Sequence, residues 1–311
     1  MTNSPDPAAL DLHRQSIVID GHYDRLYPNL QDAFADLEIL RAGGIAAHIR
    51  QTWPDDVLPF LERSHQIAER WPDHFSIATR AEDIRRAKAE GKMATILSIE
   101  GAEPLNGNLT MLHALYRLGL RNCGLTWNDR NQAADGVSEL RSGGGLTVFG
   151  VELVQEIERL GIMLDISHLA PAGVRDVFEL YGGPVVASHA NAFALCSHPR
   201  NLTDEQIQAV ARSDGLVGVT PVPKFITDDP DDASIDRFVA HIDYIAALVG
   251  PEHVALGSDW DGFEMIPHHF MSDISDLPVV TAALLDKGYP GHQIEMILGG
   301  NWLRVFERVA G

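Results

Sequence analysis

Eight short apolar runs punctuate the chain: Ile17–Asp20, Gly44–Ile49, Ala94–Ile99, Asn122–Thr126, Met163–Ile166, Val185–Ser188, Leu216–Thr220 and Val254–Gly257. They are rich in β-branched residues and almost continuously apolar, as strands buried on both faces are. Between them the apolar positions recur with helical spacing. Asp56–Arg70 carries Val57, Phe60, Leu61, Ile67 and Ala68 among charges, Ala81–Ala89 is short and basic, and Thr110–Leu118 carries Met111, Leu112, Leu115 and Leu118. Val148–Leu160 places Val151, Val154, Ile157 and Leu160 three apart, and Ile235–Val249 has a stripe from Ile235 to Val249. Thr203-Asp204-Glu205-Gln206 is a capping box for a helix through Ala211. The tail Asn301–Val309 is amphipathic and reads as a last helix docked on the body.

Eight strand–helix units predict an α/β protein with a parallel sheet, most economically a (β/α)8 TIM barrel. A doubly wound open sheet is the alternative. It calls for a glycine-rich phosphate loop after the first strand, and Gly21-His22-Tyr23-Asp24 is not one. With no linker, charge block or repeat, residues 1–311 read as one catalytic barrel domain with the C-terminal helix packed on it.

In a barrel the site forms where strands end. The first run ends at His22 and Asp24, the third at Glu100, the fifth at His168, the sixth at His189 and the eighth at Asp259. Any one of these reads as a surface histidine, a helix cap or a turn; together they are a constellation of imidazoles and carboxylates. The carboxylates repel one another unless a cation joins them. Nitrogen and oxygen donors without thiolate suit zinc, with manganese, iron or cobalt as alternatives. The donor count exceeds the needs of a single catalytic zinc and predicts two zinc ions per chain and metal-assisted hydrolysis. None of Lys88, Lys92, Lys224 and Lys287 ends a strand, so Glu100 is the better bridge than a modified lysine. Asp259 is the expected proton-transfer group. Arg200, in the loop after the sixth run, suits a substrate carboxylate.

Lys+Arg 24 against Asp+Glu 44 gives a net charge of −20, which disfavours nucleic acid and anionic membranes. The start lacks a basic, then apolar, leader and no run is long enough to span a bilayer, so neither a signal peptide nor a membrane anchor is expected. Two cysteines, Cys123 and Cys196, suit a reducing, cytoplasmic setting.

At these residues the chain resembles the renal (membrane) dipeptidase family of the amidohydrolase superfamily. The resemblance runs from Asp20-Gly21-His22-Tyr23-Asp24 through Ser98-Ile99-Glu100-Gly101, Asp165-Ile166-Ser167-His168 and the block Ser188-His189 to Arg200-Asn201-Leu202. It continues through Gly257-Ser258-Asp259-Trp260-Asp261-Gly262 to Gly299-Gly300-Asn301-Trp302-Leu303-Arg304-Val305-Phe306. It implies a two-zinc barrel that hydrolyses small dipeptides, often with a D-residue on the carboxyl side. Carried across, His22 and Asp24 hold one ion, His168 and His189 the other, and Glu100 bridges. Asp259 shuttles the proton, and Arg200, with Asn201 beside it, binds the substrate. Barrels of this type often pair, which makes a homodimer the expectation.

Two positions depart from the family. Thr126-Trp127-Asn128 stands where its dipeptidases have Thr-His-Asn, and Glu103 where they often have His. An indole offers one donor and no acceptor. Trp127 as an apolar plate motivates an alternative substrate, such as an N-acyl amino acid. Glu103 is read as a partner for a substrate ammonium group.

Overall fold

The computed structural model describes residues 5–25, 27, 29–52, 57–263 and 270–311. Nine strands alternate with helices: β1 (Val18–Tyr23), β2 (Ile45–Arg50), β3 (Phe75–Ile77), β4 (Met93–Glu100), β5 (Leu120–Gly124), β6 (Met163–Asp165), β7 (Val185–Ala187), β8 (Leu216–Val219) and β9 (Val254–Leu256). All pairings between strands are parallel, and eight strands follow one another in the order β1-β2-β4-β5-β6-β7-β8-β9. Each predicted run supplies one of these eight. The ninth strand, β3, was not among the predicted runs; it pairs with β4 beside the ring.

The ring is nearly closed into a (β/α)8 barrel. At its seam the Asp259 amide donates to the His22 carbonyl (2.9 Å) and the Asp24 amide to the Trp260 carbonyl (3.1 Å). Residues alternate along the strands. Val18, Leu97, Ile99, Leu164, Val185, Val217 and Val254 pack outward against the helices. Ile19, Ala47, Ala94, Ile96, Met163, Val186, Leu216 and Ala255 pack in a second cluster with Trp302, Val305 and Phe306.

The C-terminal helix Asn301–Ala310 therefore plugs the floor of the barrel rather than resting on its flank. Its Trp302 indole donates to the Leu256 carbonyl at 2.9 Å, beside the β1–β9 seam. Gly21 makes room for it: a Cβ there would stand 2.2 Å from Trp302 Cζ2. With the floor filled by apolar side chains, only the mouth at the strands' C-terminal ends is left for polar chemistry.

Helices form as the periodicity indicates at Val57–Arg70, Ala81–Glu90, Leu109–Arg117, Val148–Leu160, Asp204–Arg212 and Ile235–Val249. The capping box at Thr203 and Gln206 is formed. Further helices cover Pro7–Gln15, Leu30–Ala42, Pro171–Leu180 and Pro278–Asp286. Among the described residues no helix is long and apolar enough to cross a membrane.

Candidate metal centre

The mouth gathers its ligand-type residues by strand termination. β1 ends by delivering His22 and Asp24, and β4 ends on Glu100. His168 follows β6, His189 follows β7, and Asp259 follows β9. All six are buried. His168 (φ 68°) and Asp259 (φ 56°) hold left-handed backbone conformations, which cost non-glycine residues about 1 kcal/mol or more.

Their donor atoms converge. Glu100 Oε1 lies 2.9 Å from His168 Nε2, 3.4 Å from His22 Nε2 and 3.6 Å from His189 Nε2. His22 Nε2 is 3.2 Å from Asp24 Oδ2 and 3.9 Å from Asp259 Oδ1. Two groupings share His22: one with Glu100 and His189, the other with Asp24 and Asp259. Glu100 is the residue that reaches all three imidazoles.

The hydrogen bonds behind the rings decide what faces the centre. His168 Nδ1 donates to Asn128 Oδ1 at 2.8 Å. Ser188 Oγ lies 2.9 Å from His189 Nδ1 and 3.2 Å from His22 Nδ1, and its own hydroxyl donates to Ser167 Oγ at 3.3 Å. Ser188 Oγ thus joins the Nδ1 atoms of both rings. All three rings direct Nε2 inward. His168 Nε2 and His189 Nε2 stand 2.9 Å apart, and His22 Nε2 is buried with no hydrogen-bond partner. Imidazole nitrogens and carboxylates crowded together in a buried site are an arrangement that divalent cations stabilise, so the donor set fits zinc.

The electrostatics say the same. Burial opposes charge on His22, but Asp24, Glu100 and Asp259 outweigh it and hold its pKa up to about 10. Burial, with Asp24 adding repulsion, pushes Glu100 up to about 8. Burial also raises Asp259 well above the carboxylate range. His168 and His189 are driven well down by burial, and Arg200 contributes to both. The mouth draws in positive charge and keeps His168 and His189 neutral.

Asp20 and Asp165 hold this geometry from beneath. Asp20 accepts from the Ser258 amide (2.7 Å) and hydroxyl (2.6 Å), tying β1 to the turn that carries Asp259. Asp165 accepts from the Ser167 and Ser188 amides, both at 2.9 Å, tying the His168 turn to the His189 turn.

A cavity of about 280 Å³ opens above the centre, and Asp24, Glu100, Trp127, His168, Arg200 and Asp259 are among its walls. The Arg200 guanidinium is buried, and its Nη2 donates to His189 Nε2 at 2.5 Å while its Nε has no partner. Trp127 lies with its ring centre 6.0 Å from that of His168. Two expected substrate contacts are not on this wall. Glu103 folds back over Gly101, with Oε2 buried and unpartnered. Asn201 spends its amide on the Cys196 and Phe225 carbonyls and accepts from the Asn191 amide. Reading strand ends alone passes over Asn128, Ser188, Asp20 and Asp165. Their signal is a short polar side chain one to three residues from, or spatially beside, a ligand.

A (β/α)8 barrel with an imidazole–carboxylate centre at its mouth defines the class, a metal-dependent hydrolase. The profile of the membrane dipeptidase family (peptidase family M19) matches residues 7–311, and the chain belongs to that family as a metallopeptidase. A Klebsiella pneumoniae protein described as an uncharacterized protein in the pqqA 5' region is 36% identical over 237 residues, covering 74% of this chain and 87% of its own. An amidohydrolase from Pseudomonas aeruginosa superposes with a TM-score of 0.86 at 26% identity, covering 97% of this chain and 99% of its own. A Rhodobacter sphaeroides metallopeptidase, solved with a phosphinate mimic of the dipeptide L-Ala-D-Ala, superposes with a TM-score of 0.83 at 28% identity, covering 95% of this chain and all (100%) of its own.

Proposed function

We propose that this metallodipeptidase is a binuclear zinc enzyme that cleaves the single peptide bond of small dipeptides, including those with a D-residue on the carboxyl side. The observation that carries the reading is the inward convergence of three imidazole Nε2 atoms on Glu100 Oε1. His22 and Asp24 would hold one ion, His168 and His189 the other, and Glu100 would join them. When bound, such ions lower the pKa of water and polarise a carbonyl oxygen.

The chain's own groups do the rest. Arg200, on the cavity wall, holds the substrate's C-terminal carboxylate and so fixes the length of substrate accepted. Asp259, with its proton affinity raised by burial, takes the proton of the attacking water and hands it to the leaving amine. Asn128 and Ser188 keep the imidazoles in the ligating tautomer. Residues 1–311 act as one catalytic barrel, and two free, buried cysteines suit a reducing, cytoplasmic setting. A homodimer completes the reading.

One observation favours a second substrate class. Trp127 presents an indole on the cavity wall, and a flat apolar surface suits the acyl group of an N-acyl amino acid. A panel of L-Xaa-L-Xaa and L-Xaa-D-Xaa dipeptides and N-acyl amino acids separates the two. The proposal predicts dipeptide turnover that a chelator removes and zinc restores. Turnover confined to N-acyl amino acids would reverse the assignment.

A further inference from the structure

Three of the four lysines rest their ammonium groups on oxygen: Lys88 on the Arg14 carbonyl (2.9 Å), Lys92 on Glu90 (2.8 Å) and Lys287 on Asp243 (3.0 Å). Lys224 is the exception: its ammonium has no oxygen partner among the described residues. It is exposed, and it lines the cavity above the metal centre. In a chain with a net charge of −20, an exposed cation on that cavity wall, with no carboxylate against it among the described residues, is conspicuous.

Its position is tied to that of Arg200. Lys224 Nζ lies 5.3 Å from the centre of the Phe225 ring, and Arg200 Cζ lies 5.5 Å from the same centre. Two cations thus share one ring and one cavity. The backbone beneath them is shared as well. Asn201, next to Arg200, donates to the Phe225 carbonyl at 2.8 Å, and Asn191 donates to the same oxygen at 3.2 Å. The Cys196 thiol donates to the Lys224 carbonyl at 3.4 Å. Pro223 fixes the first position of the short helix Pro223–Ile226. The Arg200 loop and the Lys224 turn are therefore one unit, which gives Asn201 a positioning role.

Resting on the dipeptidase reading above, we propose that Lys224 receives a second anionic group on the substrate. The preferred substrates are then dipeptides whose C-terminal residue is aspartate or glutamate. Arg200 takes the α-carboxylate and Lys224 the side-chain carboxylate of the same residue. The carboxylate-bearing side of the cavity, with Asp24, Glu100 and Asp259, is left to the metals and the amino end. A charge partner on a cavity wall favours the acid over its isosteric amide by roughly 10-fold.

The test uses the zinc-loaded enzyme with L-Ala-L-Glu, L-Ala-L-Gln and the corresponding D-Glu and D-Gln dipeptides. The acid is expected to exceed the amide about 10-fold in kcat/KM, mostly through KM. Lys224→Met should bring that ratio close to one, Lys224→Arg should keep it, and Lys224→Glu should invert it. Calorimetric binding of free glutamate against glutamine supplies a readout without turnover and should rank the same way. An acid-to-amide ratio at or below one in the native enzyme overturns the proposal, as does a ratio that Lys224→Met leaves intact. Tighter glutamate binding with no hydrolysis of any dipeptide supports recognition by Lys224 and removes the dipeptidase reading instead.

Discussion

Asn128 Oδ1 stands 2.8 Å from Nδ1 of His168 and fixes which ring nitrogen faces the metal centre. The ring's remaining Nε2 lies 2.9 Å from Glu100. Asn128→Ala frees the ring to rotate and to take the other tautomer. Loss of such an outer partner weakens metal binding by about 10- to 100-fold. Competition with a chromogenic chelator should show that loss, with the metal-free protein's unfolding midpoint little changed. Undiminished affinity would mean that the ring needs no such support.

Asp259 is close enough to serve the centre but is assigned to the proton rather than to a metal. Asp259→Asn keeps the size of the side chain and removes the base. Hydrolysis should fall by about 100- to 10,000-fold while two zinc ions remain bound. Kinetics paired with metal analysis make the check. Loss of an ion along with activity would move Asp259 into the ligand set.

Beneath the metal centre, Gly21, one residue before His22, and Trp302 are matched in shape. A Cβ on Gly21 would sit 2.2 Å from the indole and 2.9 Å from the Leu256 carbonyl. Gly21→Ala should lower unfolding stability by about 2–3 kcal/mol through overpacking at the seam. Urea denaturation reads this directly, and an unchanged midpoint would mean that the C-terminal helix is free to shift.

Acid should destabilise the fold through histidines remote from the metal. Burial, with Arg50 adding to it, lowers His48 to about 3, and burial also lowers His13 and His241. His13 and His241 each donate from Nε2 to a carbonyl, Gly43 and Ile226, and accept at Nδ1, so protonation breaks a bond. Their folded pKa values lie below the unfolded value of about 6.5. Stability is therefore full above that pH and is lost as pH falls, because the unfolded chain binds protons first. Each group contributes up to about 1.4 kcal/mol per pH unit. Unfolding free energy measured from pH 7 to pH 5 should decline, and His48→Gln should flatten part of the slope. A flat profile in the native protein would contradict the assignment.

The ring of strands was legible because parallel strands covered on both faces leave unbroken apolar runs, and the candidate ligands were legible because five of the eight runs stop at one. β3 was not: Phe75–Ile77 is three residues long and flanks β4 outside the ring. The helices Pro7–Gln15, Pro171–Leu180 and Pro278–Asp286 announce themselves chiefly by proline at the first helical position. The support of the site was hidden for another reason. Asn128 and Ser188 act across strands, over separations that no local pattern encodes. Glu103 and Asn201 show the converse, since proximity in sequence to a site residue did not place either on the cavity wall.

The account's central claim is tested most directly by anomalous diffraction at the zinc edge on crystals of the zinc-loaded protein. It predicts two peaks at the barrel mouth, one against His22 and Asp24 and one against His168 and His189, with Glu100 touching both. A single peak, or two peaks that do not share Glu100, would contradict it.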